Sequence, residues 1–258
     1  MDISKAGRYV TRDYRFLHEA SDLCYFKVQL KESDLAVGVD RNSYRDVLFD
    51  LCRKELIRLR GELEDYISMH PEFRTSLLPL QLSPRAPHIA SEMAAAAAAA
   101  GVGPMAAVAG AFAQAVGEML AGYADEVIVE NGGDIYLSSS RDRIIAVFAG
   151  ESSFSYKIGI KINAGEGPVG VCTSSGTVGP SLSFGTADAV VVKGMPVALA
   201  DAAATGAGNL VKSEADLLKA IDYVKNIPGI SGILIIKNNK MALWGEIEII
   251  PIKRGKQQ

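Results

Sequence analysis

The stretch Met93–Ala113, MAAAAAAAGVGPMAAVAGAFA, contains no charged side chain and includes seven consecutive alanines, Ala94–Ala100. Gly101, Gly103 and Pro104 interrupt its middle. Alanine and glycine are poorly lipophilic, whereas a membrane span needs about 20 strongly apolar residues. We therefore expect no membrane span and interpret the stretch as two helices that meet at a glycine-rich turn. Their small side chains would let another backbone pack unusually close.

Further helical patterns surround this pair. From Tyr44 to about Met69, apolar residues recur near helical spacing, with Arg, Lys and Glu between them. Pro104 suits the start of a helix, because proline lacks the amide hydrogen that the first turn leaves unbonded. The predicted helices are Tyr44–Met69, Ile89–Ala100, Pro104–Leu120, Pro196–Ala204 and Ser213–Lys225.

Predicted strands occupy both ends and the middle of the chain. The short apolar runs that follow the Ala-rich helices are punctuated by glycine, and we expect them to be strands of one sheet. Because strands and helices arrive in blocks, the pattern favours an α+β fold over a doubly wound parallel sheet. The predicted strands are Tyr9–Phe16, Cys24–Leu30, Leu35–Val39, Glu126–Glu130, Asp134–Ser138, Ile144–Phe148, Tyr156–Ile162, Val169–Thr173, Ala187–Val192, Ile230–Ile236, Met241–Trp244 and Ile247–Ile250.

The domain organisation follows from the uniform composition. No compositional shift divides the chain, so we expect residues 1–258 to form a single domain. A faint echo between Gly103–Ala113 and Gly194–Gly208, each with a proline near the start of an Ala-rich helix, suggests internal duplication.

Composition and charge exclude several classes of function. With 48% apolar and 22% charged residues the chain is ordinary for a globular protein. A net charge of -3 with both signs interspersed gives no basic stripe, so we expect no nucleic-acid binding. Three scattered cysteines argue against a disulfide framework and fit a reducing cytoplasm. Met1–Tyr14 lacks the apolar segment of a signal peptide.

The hexapeptide Ala200–Thr205, ADAAAT, places a carboxylate and a hydroxyl four residues apart. On a helix, Asp201 and Thr205 share one face, where they could hold one hard cation or one phosphate-bearing ligand. Their Ala and Gly neighbours leave open space around the pair. The alternative is a solvated Asp and a Thr bonded to its own helix backbone. An acid in an otherwise uncharged Ala-rich run favours the functional interpretation, because an unpaired buried carboxylate is costly.

A second candidate segment, between two apolar runs, contains Asn131, Gly132, Gly133 and Asp134. The glycines permit backbone conformations closed to other residues and a close approach by a ligand, to which Asn and Asp can hydrogen-bond. Asn-Gly is equally a strong hairpin signal. Taken alone, this segment favours the plain hairpin turn.

Two weaker candidates could bind phosphate. Thr173, Ser174, Ser175 and Gly176 form a hydroxyl cluster after an apolar strand, where exposed amides could hold an anion. A polar loop without a ligand is nearly as good an interpretation. Gly103 precedes a predicted helix, whose free amides attract anions. The three histidines lie in the first third of the chain, away from these motifs, so the sequence gives little support to a Ser-His-Asp or His-metal site.

In order, Val127–Tyr136 (VIVENGGDIY), Val171–Gly176 (VCTSSG) and Ala200–Thr205 (ADAAAT) resemble motifs of the ApbE-like superfamily. The family patterns are an apolar strand with N-x-GGD, a TSG turn, and ADA-x-x-T on a late helix. The resemblance covers about the C-terminal two thirds, and the chain is most similar to a small branch found in archaea and anaerobic bacteria.

The resemblance implies an α+β, T-fold-like domain with internal duplication and mixed sheets packed against Ala-rich helices. ApbE proteins bind FAD, use Mg²⁺ to activate its pyrophosphate, and place FMN on a Thr or Ser of a partner protein. By resemblance, Asp201 and Thr205 would ligate Mg²⁺ with a backbone carbonyl from Met105–Gly110. Asn131–Asp134 and Thr173–Gly176 would line the flavin pocket.

The chain departs from the family at three places. Gly179–Gly185 stands where the family has His-x-x-Asp-Pro-x-Thr-Gly, an Asp-Pro-Thr before the Ala-Gly helix is absent, and Ala109 replaces a lysine. Two hypotheses therefore stay open. One is an enzyme, either a Mg²⁺-dependent flavin transferase that uses a protein acceptor or an FAD pyrophosphatase. The other is a non-transferase protein that binds flavin or another small anionic ligand and supports sulfide assimilation and homocysteine formation. We expect the Ala-rich faces to pack on each other or on a second subunit, which makes a homodimer the predicted assembly.

Overall fold

The computed structural model describes residues 20–177 and 183–252. The predicted strand Tyr9–Phe16 and much of the departing segment Gly179–Gly185 lie outside these residues. In the described residues the strands are β1 (Leu23–Leu30), β2 (Ser33–Asp40), β3 (Val127–Asn131), β4 (Asp134–Ser138), β5 (Arg143–Ala146), β6 (Ile158–Ile162), β7 (Val169–Ser174), β8 (Ala189–Gly194), β9 (Ile230–Lys237), β10 (Lys240–Gly245) and β11 (Glu248–Pro251). The helices are α1 (Val47–Met69), α2 (Glu72–Thr75), α3 (His88–Ala100), α4 (Val108–Ala121), α5 (Val197–Leu210) and α6 (Leu217–Lys225).

The strands form two sheets rather than one. Eight strands pair in the order β1-β2-β3-β4-β7-β8-β9-β10, and three pair in the order β11-β6-β5. Every pairing among the described strands is antiparallel. The α+β class is confirmed, while the expectations of a single sheet and of mixed sheets are corrected. Short connections explain the antiparallel order, because tight turns join neighbouring strands such as β1 and β2, or β9 and β10.

The large sheet has a separate core on each face. Val190 and Val192 of β8 join the core beneath the helices, whereas Ala189 and Val191 join the core beneath the small sheet. Successive side chains of a strand point to opposite faces, so a strand covered on both sides is apolar at successive positions, as Ala189–Val192 are in β8. The molecule is therefore layered as helices, large sheet and small sheet.

The helices match the predicted segments closely, and two differences bear on the site. The residues Pro104–Ala107 form a 3-10 turn, and α4 begins only at Val108. Helix α5 continues past Ala204 to Leu210, so Asp201 and Thr205 lie on one helix as predicted. The suggested internal duplication stays a prediction.

The Ala-rich helices pack on each other within the chain. A Cβ added at Gly110 of α4 would lie 2.6 Å from the Val197 carbonyl oxygen of α5. A Cβ added at Gly206 of α5 would lie 2.0 Å from the Tyr223 hydroxyl of α6. These approaches are closer than any larger side chain permits. Intramolecular packing thus accounts for the small residues, and the homodimer stays a prediction.

By length and composition, Pro104–Ala121 could cross a membrane, and 56% of this 18-residue window is buried inside the protein. Its side chains Phe112, Val116 and Leu120 belong to the core beneath the helices. A core helix passes the same test of length and hydropathy, so the segment is weak evidence for a span.

Candidate functional site

Three segments that are distant in sequence meet at the first turn of α4. The Gly110 amide donates a hydrogen bond of 2.8 Å to Asp201 Oδ2 on α5. Asn131 Nδ2, at the end of β3, donates one of 3.1 Å to the Ala109 carbonyl oxygen. Helix α4 therefore holds the predicted metal ligand on one side and the predicted ligand-binding turn on the other.

The segment Asn131–Asp134 is a two-residue hairpin turn that also faces a cavity. Asn131 pairs with Asp134 across the hairpin, and the two residues between them have positive φ, +73° at Gly132 and +110° at Gly133. Glycine adopts such conformations without steric cost. Asn131, Gly132 and Asp134 line the cavity. The hairpin interpretation is confirmed, and it leaves room for the ligand-binding one.

Asp134 and Asp201 form an acidic pair with Cys172 beside them. Burial, and then the negative charge of Asp134, raise the pKa of Asp201 well above its ordinary value, while the amides of Gly110 and Ala109 act in the opposite direction. Burial, and then the charges of Asp134 and Asp201, also raise the pKa of the Cys172 thiol. Removal of negative charge, by a proton or by a bound cation, relieves this repulsion.

The surroundings of Asp201 differ from those expected. The sequence predicts open space around Asp201 and Thr205, whereas Asp201 is buried and the first turn of α4 fills that space. The alternative of a solvated Asp is likewise wrong. Thr205 lies one turn further along α5 and is half-buried. Within residues 20–177 and 183–252, no group of three or more His, Cys, Asp or Glu side chains could hold a metal ion.

Only the beginning of the Thr173–Gly176 segment reaches the acidic pair. The Thr173 amide donates a hydrogen bond of 3.3 Å to Asp134 Oδ1. Ser174 is buried, with its hydroxyl 3.3 Å from the position of a Cβ added at Gly208 of α5. Ser175 and Gly176 lie further out, towards solvent. The structure therefore brings Thr173 to the site and leaves the rest of the segment beside it.

The sequence predicts an anion-binding position at Gly103, whereas the structure shows this glycine packed against backbone. A Cβ added there would lie only 1.9 Å from the carbonyl oxygen of Ser76. Gly103 is buried against this backbone and is absent from the lining of the cavity. Close packing is thus sufficient reason for a glycine at this position.

A cavity of about 680 Å³ lies beside the Asn131–Asp134 turn, and neither Asp201, Thr205 nor Thr173 lines it. One wall is apolar and comes from α1, the 3-10 turn and α4. The remaining lining is polar and includes three basic side chains that sequence analysis did not single out. The lining residues are Lys31, Glu32, Ser33, Arg60, Leu63, Glu64, Ile67, Ser68, Arg74, Met105, Val108, Ala109, Phe112, Asn131, Gly132 and Asp134.

Two of the basic side chains are held in ion pairs. Lys31 Nζ lies 2.6 Å from Glu64 Oε2. Arg60 Nη2 lies 2.6 Å from Glu32 Oε2 and 2.7 Å from Glu64 Oε1. These contacts tie the β1–β2 turn to α1 across one edge of the cavity. Because Arg60 and Glu64 are four residues apart, the sequence alone predicts only an ordinary ion pair on a solvent-exposed helix face.

Most of the chain is similar in sequence to known proteins. A family model described as AbpE bacteria matches residues 15–224. The "UPF0280 protein" of Methanocella arvoryzae is 42% identical over 222 residues, which cover 86% of this chain and 88% of that one. The "UPF0280 protein" of Methanococcus aeolicus is 38% identical over 227 residues, which cover 86% and 90%.

Solved structures share the fold at low sequence identity. The apo flavinyl transferase ApbE of Pseudomonas stutzeri aligns with a TM-score of 0.55 and 16% identity, over 86% of this chain and 94% of that one. The flavin transferase ApbE of Vibrio cholerae aligns with a TM-score of 0.55 and 12% identity, over 86% and 96%. These matches confirm the predicted ApbE-like α+β fold.

Proposed function

The chain belongs to the family described as AbpE bacteria, and from this premise we propose that it binds a flavin nucleotide, FAD or FMN, in the cavity beside α4. One observation carries the proposal. The Asn131–Asp134 turn lines a cavity of about 680 Å³, at the same helix end that contacts Asp201. The flavin transferases that share this fold give the proposal its ligand class.

The lining of the cavity suits a nucleotide with a planar ring. Small-molecule sites typically enclose about 300–1,000 Å³ and combine apolar walls with a few polar groups. Leu63, Ile67, Val108 and Phe112 supply an apolar wall. Basic side chains that also line the cavity carry N–H donors for phosphate oxygens.

We propose further that Mg²⁺ binds here together with a phosphate group of the nucleotide. Mg²⁺ keeps several waters and uses one or two carboxylates plus substrate phosphates. Asp201 would supply a carboxylate oxygen and Thr205 a hydroxyl, with Asp134 close enough to share the positive charge. Bound there, Mg²⁺ would neutralise charge that develops on a pyrophosphate.

As the finer function we propose transfer of FMN from FAD to a threonine or serine of a partner protein. The acceptor oxygen would attack the phosphorus on the FMN side, and the pyrophosphate bond would break with AMP as the leaving group. Asp134 lines the cavity at the hairpin turn, close to Asp201, and is our candidate for the base that takes the acceptor's proton.

A second candidate is flavin binding without transfer. One oxygen of Asp201 is already engaged by the Gly110 amide, and Ala109 stands where the family has a lysine. Both features favour a binding protein. The further ideas of a role in sulfide assimilation, a cytoplasmic location and a homodimer stay predictions.

The two candidates differ in turnover. Purified protein is incubated with FAD, Mg²⁺ and a threonine-containing acceptor, while AMP release and covalent flavin are followed in parallel with equilibrium binding. A transferase releases AMP in proportion to labelled acceptor, whereas a binding protein retains FAD unchanged. Lack of flavin binding would refute both candidates.

A matched pair of variants tests the assignment of the base. Asp134→Asn should stop AMP release while FAD binding persists, because the amide cannot accept the proton. Asp125→Asn makes the same change at an exposed position that does not line the cavity, and should alter neither quantity. Full activity in Asp134→Asn would remove this residue from the mechanism.

A further inference from the structure

Arg74 differs from the other two basic side chains of the cavity in its pairing. Lys31 and Arg60 are both neutralised by Glu32 and Glu64. Arg60 Nη1 also donates a hydrogen bond of 2.8 Å to the Ser33 hydroxyl oxygen. Arg74 forms no ion pair with any residue in 20–177 or 183–252, and it is an exposed residue that lines the cavity.

The position of Arg74 is fixed by its neighbour in sequence. Phe73 is fully buried, and its ring meets the ring of Tyr66 on α1 edge-on, with centroids 5.4 Å apart. This contact anchors the short helix α2 to α1 and so holds Arg74 at the rim. Exposed arginines are common on protein surfaces. An arginine that is held beside a concave apolar wall can bind the anionic group of a ligand that packs against that wall.

The charges around the cavity are arranged asymmetrically. Lys31, Arg60, Glu32 and Glu64 pair with one another, whereas Arg74 adds a positive charge to the lining of the cavity and Asp134 adds a negative charge at the hairpin turn. A guanidinium group binds phosphate through two parallel N–H donors, and it keeps its charge at every relevant pH. A phosphate directly at the acidic turn would need a cation, whereas at Arg74 it would not.

We infer that Arg74 is a specificity-determining residue, which binds a phosphate group of the ligand and selects phosphorylated flavin over riboflavin. This inference rests on the proposed flavin site and names the residue that binds the phosphate group there. The apolar wall formed by Leu63, Ile67, Val108 and Phe112 would bind the flavin ring of FMN and of riboflavin equally. Only the contact between Arg74 and the phosphate would therefore distinguish the two ligands.

The test compares the affinity of the full chain for FMN and for riboflavin, measured by quenching of flavin fluorescence. Arg74→Gln should weaken FMN binding about 10- to 100-fold, the range for one lost charge-assisted contact, and leave riboflavin binding unchanged. Arg74→Lys should fall between, because lysine keeps the charge without the paired donors. Arg85→Gln removes the same charge at an exposed position outside the cavity lining and should match the wild type.

A second probe separates failure of this inference from failure of the proposed function. Inorganic pyrophosphate is titrated by calorimetry into the wild type and into Arg74→Gln, and only the wild type should bind it. An unchanged ratio of FMN to riboflavin affinity in Arg74→Gln overturns the inference while flavin binding stands. Pyrophosphate binding through Arg74 without any flavin binding overturns the proposed function alone. If the wild type binds neither pyrophosphate nor flavin, both are overturned.

Discussion

The amide of Gly110 and the carboxylate of Asp201 are joined by a hydrogen bond of 2.8 Å between two helices that are 91 residues apart in sequence. The first amides of a helix have no partner within it, so a carboxylate from a neighbouring helix satisfies one of them. Asp201 is thus both the predicted metal ligand and a structural acceptor for α4. Substitutions there must be designed to separate these two roles.

Asp201→Ala should lower the free energy of unfolding by about 1–3 kcal/mol, because it leaves a buried amide of α4 without an acceptor. Asp201→Asn keeps a carbonyl oxygen of the same size and should cost less. Both variants should lose any Mg²⁺-dependent increase in nucleotide affinity. Urea unfolding and nucleotide titration with and without Mg²⁺ measure the two effects. Equal Mg²⁺ dependence in Asp201→Asn would exclude this residue as a ligand.

Asp201 should also give the protein an unusual dependence on pH. Burial and the charge of Asp134 raise its folded pKa well above the ordinary value of 3.8, so the folded chain holds a proton that the unfolded chain releases. The stability that this group contributes is complete below the unfolded pKa and is lost as pH rises through the folded pKa. Asp201→Asn removes the titration. In EDTA, unfolding measurements from about pH 4 to about pH 8 should show the variant gaining stability relative to wild type as pH rises.

Two glycine-to-alanine changes in helices should have opposite effects. Gly110→Ala brings a Cβ to 2.6 Å from the Val197 carbonyl oxygen, which belongs to backbone and cannot turn aside. It should cost about 1–3 kcal/mol. Gly61→Ala, in α1, meets nothing within 4 Å and should stabilise by about 0.5–1 kcal/mol, since alanine favours the helix. Thermal melts of both variants check this, and a neutral Gly110→Ala would contradict the close approach of α4 and α5.

A buried arginine ties the start of β1 to the central strands. Arg143 bonds Asp22 through Nη1 at 3.0 Å and Nη2 at 2.9 Å, and its Nη2 lies 2.9 Å from Glu126 Oε2. Arg143→Met should cost about 3–5 kcal/mol, because Glu126 keeps a buried charge without its partner. Arg141→Met removes the exposed neighbour, whose side chain is 66% accessible, and should cost at most about 1 kcal/mol.

The same cluster predicts a loss of stability in acid. The hydrogen bond from Arg143 is the main cause that lowers the pKa of Asp22. A carboxylate with a lowered folded pKa contributes stability above its unfolded pKa, and this is lost as pH falls through the folded pKa. Arg143→Met should therefore flatten the fall in stability on acidification. An unchanged acid slope in this variant would assign the acid sensitivity to other carboxylates.

Sequence patterns predicted the elements well where periodicity was strong and local. The apolar spacing of Tyr44–Met69 predicted α1 to within a few residues, and it ends at Met69 as expected. Spacing also placed Asp201 and Thr205 on one helix. What spacing could not show was that β5, β6 and β11 leave the large sheet, because a strand's partners are set by contacts far along the chain.

The site was predictable only in part, for the same reason. The motif residues Asn131 and Asp134 do line the cavity, whereas Gly103 packs against Ser76 instead. Arg74 carries no local signal, since an isolated arginine after a helix is typical of solvent-exposed surface. Its relation to the cavity exists only once α2 has docked on α1, and no single-segment pattern encodes that docking.

Strands β8 and β9 contribute alternate side chains to both cores, as Ile233 and Ile235 do on one face and Leu234 and Ile236 on the other. Neither the helical layer nor the small sheet can detach without exposing one side of these strands to water. Heat should therefore melt the two layers in a single cooperative event, with one calorimetric peak whose enthalpy matches the van't Hoff value.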